Sequence, residues 1–205
     1  MDTFYIIIFI SFLSLWSYFL WIFRRKQLAF FHFLFGCVGL FFLLLPWVRY
    51  IKTPFIMFFT SLMGGISQIC PLFEAFPQHG ILFIEQEYVS YSLFIDLECS
   101  GILEIMVLFC LLIFFPVYSF DKRIWISVIG SFAIMFFNIT RILCVIVAIY
   151  YFGDPVYDFV HSFIGRLLFY SLTIILYFYI FTRTQLLKQK VGRFEYRTKK
   201  GEDDS

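Results

Sequence analysis

The sequence predicts an all-α polytopic membrane protein, and three observations support that fold class. Of the 205 residues, 61% are hydrophobic and only 15% are charged, and the mean hydropathy is +0.87. Basic residues cluster between the apolar runs, as they do in loops that remain in the cytoplasm. Five runs approach or exceed the roughly 20 apolar residues that a spanning helix needs: 4–22, 28–48, 101–120, 124–150 and 160–181. A water-soluble domain cannot hide this much apolar surface.

The first run, 4–22, is predicted to be a retained helix and not a signal peptide. It follows Asp2 where a signal peptide carries a basic region, has no A-x-A cleavage site, and leads into the basic cluster 24–26. By the positive-inside rule, that cluster places the first connection in the cytoplasm. Two further basic segments, 121–123 and the tail 183–205, are assigned to the same side.

A shorter apolar stretch, 54–70, interrupts the alternation of spans and contains Gly64 and Gly65. If it crossed the membrane, the basic segment after the third long run would face outward. We therefore predict a re-entrant or interfacial segment, since broken backbone at membrane depth is tolerated where it lines a protein cavity. The prediction is about five full spans plus this segment in one integral membrane domain, 1–182, followed by a basic cytoplasmic tail, 183–205.

The longest polar loop, between residues 71 and 97, is predicted to lie on the extracytoplasmic side and to hold a short hairpin. In ILFIEQEYVSYSLFID (81–96), β-branched and aromatic residues stand on both sides of the polar segment 85–87. This pattern is typical of two short strands joined by a polar turn. We expect the hairpin to lie on the membrane.

Arg141, in FFNITRILCVIVAIYYFGDP, is the most informative polar residue within a span. Nine residues, or about 13 Å of helix, separate it from Tyr150 near the outer end of that span. An arginine at membrane depth costs about 2.5–3.5 kcal/mol on insertion scales, so it normally faces the protein interior and has a partner or a function. Asn138, one turn earlier, shares its face. The alternative interpretation is a structural ion pair with Glu104, or extension of the side chain toward the outer headgroups.

His161 stands where the outer loop enters the last span, in YDFVHSFIGRLLFY. The residue alone favours a simple interpretation, in which the imidazole is solvated or bonded to a loop carbonyl. Gly165, four residues later on the same face, would let another helix approach closely. Asp158, three residues earlier, is a candidate to orient the imidazole, although an exposed loop acid is the simpler assignment.

Of the five cysteines, Cys70 and Cys99 are predicted to lie on the outer side. Two outer cysteines can form a disulfide in an oxidising compartment. Cys99, however, is followed by Ser100 and Gly101 and then by a helix. The positive end of a helix dipole, together with a nearby cation, favours the thiolate form and so makes a nucleophile.

Cys99, Arg141 and His161 belong to three different spans, yet each is predicted to lie near the outer end of its own. A thiolate, an imidazole that transfers protons and a fixed cation are the components of a covalent acyl-transfer site. The sequence has no H-E-x-x-H motif, and the histidines at 32, 79 and 161 lack metal-ligand spacing. Neither a metal nor another cofactor is predicted.

The order of these residues resembles the exosortase/archaeosortase family of membrane transpeptidases, which are similar to sortases in chemistry but not in fold. The family pattern is a Cys-Ser/Thr-Gly motif at the head of a span, an arginine in the next span and a histidine at the start of the one after. The matching segments here are ECSGI (98–102), NITRI (138–142) and VHSFIG (160–165). The resemblance covers roughly residues 70–182, the expected catalytic core, and looks closest to the small Gram-positive-type branch.

The resemblance implies a cysteine-dependent peptidase and transpeptidase in which Cys99 is the nucleophile, Arg141 stabilises the thiolate or oxyanion, and His161 is the general acid/base. Neighbouring polar and small residues are supporting candidates: Asn138, Glu104, Asp158, Ser100 and Gly101. Among these, a buried partner of Arg141 is the favoured role for Glu104.

For partners, the resemblance implies an exported, membrane-anchored protein with a C-terminal sorting signal made of a short motif, a transmembrane helix and a basic tail. This protein would be cut near the motif on the extracytoplasmic side and passed to an envelope acceptor such as a lipid or glycan. The bilayer is a further expected partner, and the net charge of +2 gives no indication of nucleic acid. The alternative is a non-catalytic membrane protein, such as a transporter subunit or assembly factor, with an Arg141–Glu104 pair and a Cys70–Cys99 disulfide.

Overall fold

The computed structural model describes residues 3–70, 72–85, 90–153 and 159–183. These residues form six helices and one small sheet, and the protein is mostly helical. In chain order the elements are α1 (Thr3–Arg25), α2 (Ala29–Ser67), β1 (Glu74–Phe76), β2 (Ile81–Glu85), β3 (Ser90–Phe94), α3 (Leu97–Ser100), α4 (Ile102–Phe114), α5 (Phe120–Phe152) and α6 (Val160–Arg183).

Each of the five predicted apolar runs falls on a helix. Among the described residues, α2, α5 and α6 are long and apolar enough to cross a membrane. Helix α4 is apolar but has only 13 residues, fewer than the roughly 20 of a full crossing. These helices support a multi-pass membrane protein, and the count of five full spans stays a prediction. Beyond Arg183, the predicted tail lies outside the described residues.

The separate re-entrant or interfacial segment predicted over 54–70 is not found, because α2 continues without a break to Ser67. The helix contains Pro54, which membrane helices tolerate when neighbouring groups satisfy the freed backbone. A side-chain carbon at Gly64 would lie 3.5 Å from the Cβ atom of Ala75 in β1. Gly64 therefore lies inside the helix, where the helix contacts the sheet, and the helix continues for three more residues.

The predicted hairpin over 81–96 is confirmed as the antiparallel pair β2–β3, with Ile81 opposite Phe94 and Glu85 opposite Ser90. Its tip, residues 86–89, lies outside the described residues. A third strand, β1, pairs with the other edge of β2, so the sheet order is β1-β2-β3. The all-α prediction is thus corrected to a helical protein with one small antiparallel sheet. Three residues of β1 are too few to show the alternation that identifies a strand in a sequence.

The sheet packs against the C-terminal halves of α2 and α5, and this contact forms the largest apolar cluster among the described residues. Its buried side chains include Ile56, Phe59 and Met63 of α2, Leu82, Ile84 and Leu93 of the sheet, and Val145, Ile146 and Ile149 of α5. Strand β3 leads directly into α3. The packing of the sheet therefore brings the start of α3 beside α5.

Candidate active site

Cys99 lies in α3, a single helical turn that precedes the long helix α4. Its backbone N–H donates to the carbonyl of Asp96 at 3.0 Å. Gly101 has a φ of +79°, a left-handed conformation that favours glycine, and it separates α3 from α4. Ser100 Oγ donates to the carbonyl of Leu97 at 2.8 Å and accepts from the N–H of Ile102 at 3.4 Å. The predicted position of the thiol at the head of the span is thus refined: it stands on its own turn, three residues before α4 begins.

Helix α5 presents a buried face to this turn. Ile134, Asn138, Arg141 and Val145 follow one another at intervals of four, three and four residues, the spacing of one helical face, and all four are buried. Asn138 is fully buried, and its Nδ2 donates to the carbonyl oxygen of Cys99 at 2.6 Å. A side-chain carbon at Gly101 would lie 3.5 Å from Ile134 Cγ2. That is an ordinary contact distance, so the positive φ of the α3–α4 junction, and not the space beside α5, favours glycine here.

Arg141 contacts the thiol directly. Its Nη2 atom lies 3.5 Å from Cys99 Sγ, and the arginine is only 2% exposed. The guanidinium carbon also lies 6.0 Å from the centre of the Phe169 ring on α6, within the range of a cation–π contact. The buried Nε has no hydrogen-bond partner in the described part of the chain. The cation therefore lies between a sulfur atom and the face of an aromatic ring, and its Nε–H remains able to donate a further hydrogen bond.

His161 lies in the first turn of α6, where Val160–Ile164 form a π-helical turn that Gly165 closes by donating its N–H to the Val160 carbonyl. The residue is partly buried, and its Nδ1 atom is buried. Gly165 packs against α5: a side-chain carbon there would lie 3.3 Å from Arg141 Nε. This close approach places the turn that carries His161 next to the turn that carries Arg141. Single π-helical turns occur frequently at functional sites.

Two contacts considered from the sequence are not formed. In the described part of the chain no ion pair joins Glu104 to Arg141, although the two charges still interact through space. The backbone carbonyl of Glu104 accepts the Tyr177 hydroxyl at 2.7 Å. Cys70 and Cys99 are both free thiols. Asp158, the residue suggested to orient His161, lies outside the described residues.

Two features of the site were missed in the sequence. Phe169 contacts Arg141, and its position four residues after Gly165 could have indicated a shared face. Lys52 of α2 forms an ion pair with Asp96, the residue before α3. The hydrogen bond from Lys52, reinforced by the Leu97 N–H, lowers the pKa of the Asp96 carboxyl. No local pattern connects residues this far apart in the chain.

This arrangement is suited to nucleophilic chemistry, because a thiol lies beside a buried cation and the helix turn that bears an imidazole packs next to the same cation. No curated protein and no solved structure matches the chain. The model of the transmembrane exosortase family (Exosortase_EpsH) matches residues 1–179. The match also includes α1 and α2, so the resemblance predicted for roughly residues 70–182 was too short at its N-terminal end. Because the match covers most of its length, this chain belongs to the transmembrane exosortase family.

Proposed function

We propose that this protein is an extracytoplasmic cysteine transpeptidase. It cuts an exported protein near a C-terminal sorting signal and transfers the new C-terminus to an acceptor in the cell envelope. The observation that carries the proposal is the 3.5 Å contact between Arg141 Nη2 and Cys99 Sγ in a buried site. A buried guanidinium has little reason to point at a thiol unless negative charge forms there.

The reaction begins when His161 takes the proton of Cys99 and the thiolate attacks the substrate carbonyl. Arg141 stabilises the negative charge that develops on oxygen, and His161 returns the proton to the leaving amine as the peptide C–N bond breaks. The product is a thioester on Cys99. An amine or hydroxyl acceptor, or water, then attacks this thioester and regenerates the thiol.

Asn138 contributes by holding the backbone of the nucleophile. Its amide donates to the Cys99 carbonyl at 2.6 Å, so the turn of α3 is tied to α5 directly at the reacting residue. Arg141 lies one turn further along the same helix. One helix face therefore sets both the position of the thiol and the position of the cation, which is the preorganisation that electrostatic catalysis needs.

The reaction takes place on the extracytoplasmic side in this proposal. The basic segments 24–26, 121–123 and 183–205 mark the cytoplasmic side. The C-terminal ends of α2 and α5 then face outward together with the sheet, α3 and the start of α6. A substrate whose membrane helix enters from that side presents the residues just before the helix to Cys99.

The alternative, a non-catalytic membrane protein, depended on an Arg141–Glu104 ion pair and a Cys70–Cys99 disulfide. Neither is formed within the described ranges of the chain. Without these bonds, the alternative loses the two contacts on which it depended.

Replacing Cys99 with alanine tests the proposal. We expect Cys99→Ala to abolish processing of exported proteins, whereas Cys144→Ala, which removes an exposed free thiol, leaves it unchanged. Mass spectrometry of the Cys99 peptide should detect an acyl group that hydroxylamine removes in the wild type, and little or none in His161→Ala, which lacks the base that forms the thioester. We call the protein so identified the Cys99-bound substrate. Normal processing by Cys99→Ala would falsify the assignment of the nucleophile.

A further inference from the structure

The outer edge of strand β3 is an exposed row of backbone groups that leads to the active site. Register and hydrogen bonding fix which residues point outward. The Ile95 N–H donates to the Gly80 carbonyl at 2.9 Å, so the backbone N–H of Ile95 points toward the β2 side of the hairpin. Backbone direction alternates along an antiparallel strand. Ser90, Ser92 and Phe94 therefore direct their N–H and C=O groups away from β2.

These outward residues are exposed, and their strand edge is unpaired in the described part of the chain. Ser90, Ser92 and Phe94 are all exposed, with Phe94 at 62%, whereas the intervening Leu93 is buried against the core. Within the described ranges, the outward backbone groups of Ser92 and Phe94 make no hydrogen bonds. An unpaired strand edge is a template for another extended chain. The opposite edge belongs to β1, which β2 separates from β3 and the site.

We propose that this edge binds the extended segment of the substrate that precedes the cleavage point, as an added fourth strand of the sheet. The inference rests on the proposed function. Strand addition supplies main-chain hydrogen bonds for affinity, while side chains on alternate positions give specificity. The occupant is identified by chemistry: a peptide in extended conformation, continuous with a membrane helix at its C-terminal end.

The connection from β3 to the nucleophile sets the direction of the bound peptide. Only four residues separate Phe94 from Cys99, and α4 follows at Ile102. The enzyme chain thus runs from strand to thiol to an apolar helix. A sorting signal runs in the same order, from its recognition segment to the scissile bond to its membrane helix. Parallel pairing with β3 is the orientation in which both chains enter the membrane side by side at the thiol.

Pairing should depend on the backbone of Ser92 and not on its side chain. Ser92→Pro removes an N–H that makes no hydrogen bond within the described part of the chain, and proline is tolerated on an edge strand. Ser92→Ala keeps the N–H and is the matched control. We expect Ser92→Pro to slow thioester formation with the Cys99-bound substrate at least about tenfold, since it loses a hydrogen bond and its ring blocks the edge. Ser92→Ala should stay within about twofold of the wild type.

A second measurement decides the question if the proline variant does not fold. Single cysteines are introduced along the segment of the Cys99-bound substrate before the cleavage point, and tested for disulfide formation with a Ser92→Cys enzyme that also carries Cys99→Ala. A paired strand places every second residue on the same face. Crosslinking at alternate positions supports strand addition, and equal or absent crosslinking at all positions overturns it.

The two proposals fail in different ways. Equal rates for wild type and Ser92→Pro, or equal losses in Ser92→Pro and Ser92→Ala, overturn strand addition while the Cys99 mechanism stands. Persisting activity in Cys99→Ala overturns the mechanism, and strand addition with it.

Discussion

Helix α5 carries a partly buried arginine in its first turn, Arg123, and a buried one in its C-terminal half, Arg141, and the two have opposite surroundings. Arg123, in the first turn, donates to three backbone carbonyls: its Nε to Tyr118 at 3.1 Å, its Nη1 to Ile113 at 2.7 Å and its Nη2 to Phe115 at 2.9 Å. These carbonyls lie at the end of α4 and in the turn that follows. Basic side chains at a helix C-terminus commonly satisfy its last carbonyls.

Arg141 is more deeply buried and less satisfied. It donates to a thiol, faces an aromatic ring and retains a buried Nε without a partner among the described residues. Burial alone therefore does not distinguish the two arginines; their hydrogen bonds do, and these support a structural role for Arg123 and the catalytic role that we propose for Arg141. A guanidinium whose N–H groups are all bonded to backbone carbonyls can hold two helices together. One with an unbonded N–H can still donate to negative charge that forms during a reaction.

The largest effect is expected at Arg141. Lysine keeps the charge but not the planar group that reaches the thiol, so Arg141→Lys should lower turnover of the Cys99-bound substrate by about 10²–10³, the usual effect of losing one electrostatic donor. The amount of folded protein in the membrane should not change. Turnover is measured in purified membranes at equal protein level. Wild-type turnover in this variant would remove the distinction between the two arginines.

Substitution of Arg123 should reduce the stability of the folded protein and not its activity. Arg123→Gln loses charge-assisted hydrogen bonds to carbonyls, each worth about 1.5–3 kcal/mol when no other donor replaces it. We expect a lower unfolding temperature in detergent and unchanged turnover per folded molecule. Lys122→Gln is the matched control, because it removes the same charge from the exposed neighbouring position. A turnover defect without a stability defect would contradict the structural role.

A substitution of Asn138 tests whether the face of α5 that carries Arg141 also positions Cys99. Asn138→Ala removes the donor to the Cys99 carbonyl, and we expect kcat to fall about tenfold, or about 1.4 kcal/mol, with little change in KM. Thr140→Ala is the control, since this exposed hydroxyl bonds only within its own helix, to the Phe136 carbonyl. A rise in KM with unchanged kcat would instead assign Asn138 to substrate binding.

The smallest effect is expected at the exposed ion pair between Lys52 and Asp96. The pair lowers the pKa of Asp96 below its ordinary value of 3.8. The resulting stabilisation is therefore present above about pH 4 and is lost as the pH falls through the lower pKa of the folded protein. Because the two side chains are 40% and 66% exposed, the gain is at most about 1 kcal/mol. Between pH 5 and pH 3, the unfolding temperature of Lys52→Gln should fall less than that of the wild type. An unchanged pH profile would show that the ion pair does not contribute to stability.

The sequence was sufficient to predict that Cys99 and Arg141 lie at similar depth. Position along a helix converts directly to distance, and a charge within an apolar run must face the protein interior. The hairpin was predictable for a similar reason, since its alternation is local. Once α3 and α5 are neighbours, the similar depth of the two residues and the inward direction of the arginine bring Cys99 and Arg141 into contact.

Other features depended on contacts that no local pattern reveals. Gly64 and Gly65 read as an interruption because glycine lowers helix stability by about 1 kcal/mol, yet packing against β1 keeps α2 intact. Glu104 looked like the natural partner of Arg141 because charges in membranes tend to pair, but no such pair forms in the described part of the chain. In both cases tertiary packing decided between two locally reasonable outcomes.

The unbroken 39 residues of α2 have a consequence for substrates. At 1.5 Å per residue the helix is about 58 Å long, nearly twice the roughly 30 Å thickness of a bilayer core. The part of α2 that packs against the sheet therefore extends beyond a single crossing. In the proposed complex, the spacer between the sheet-bound segment and the membrane helix of the substrate covers a matching distance, so the number of spacer residues should matter more than their identity.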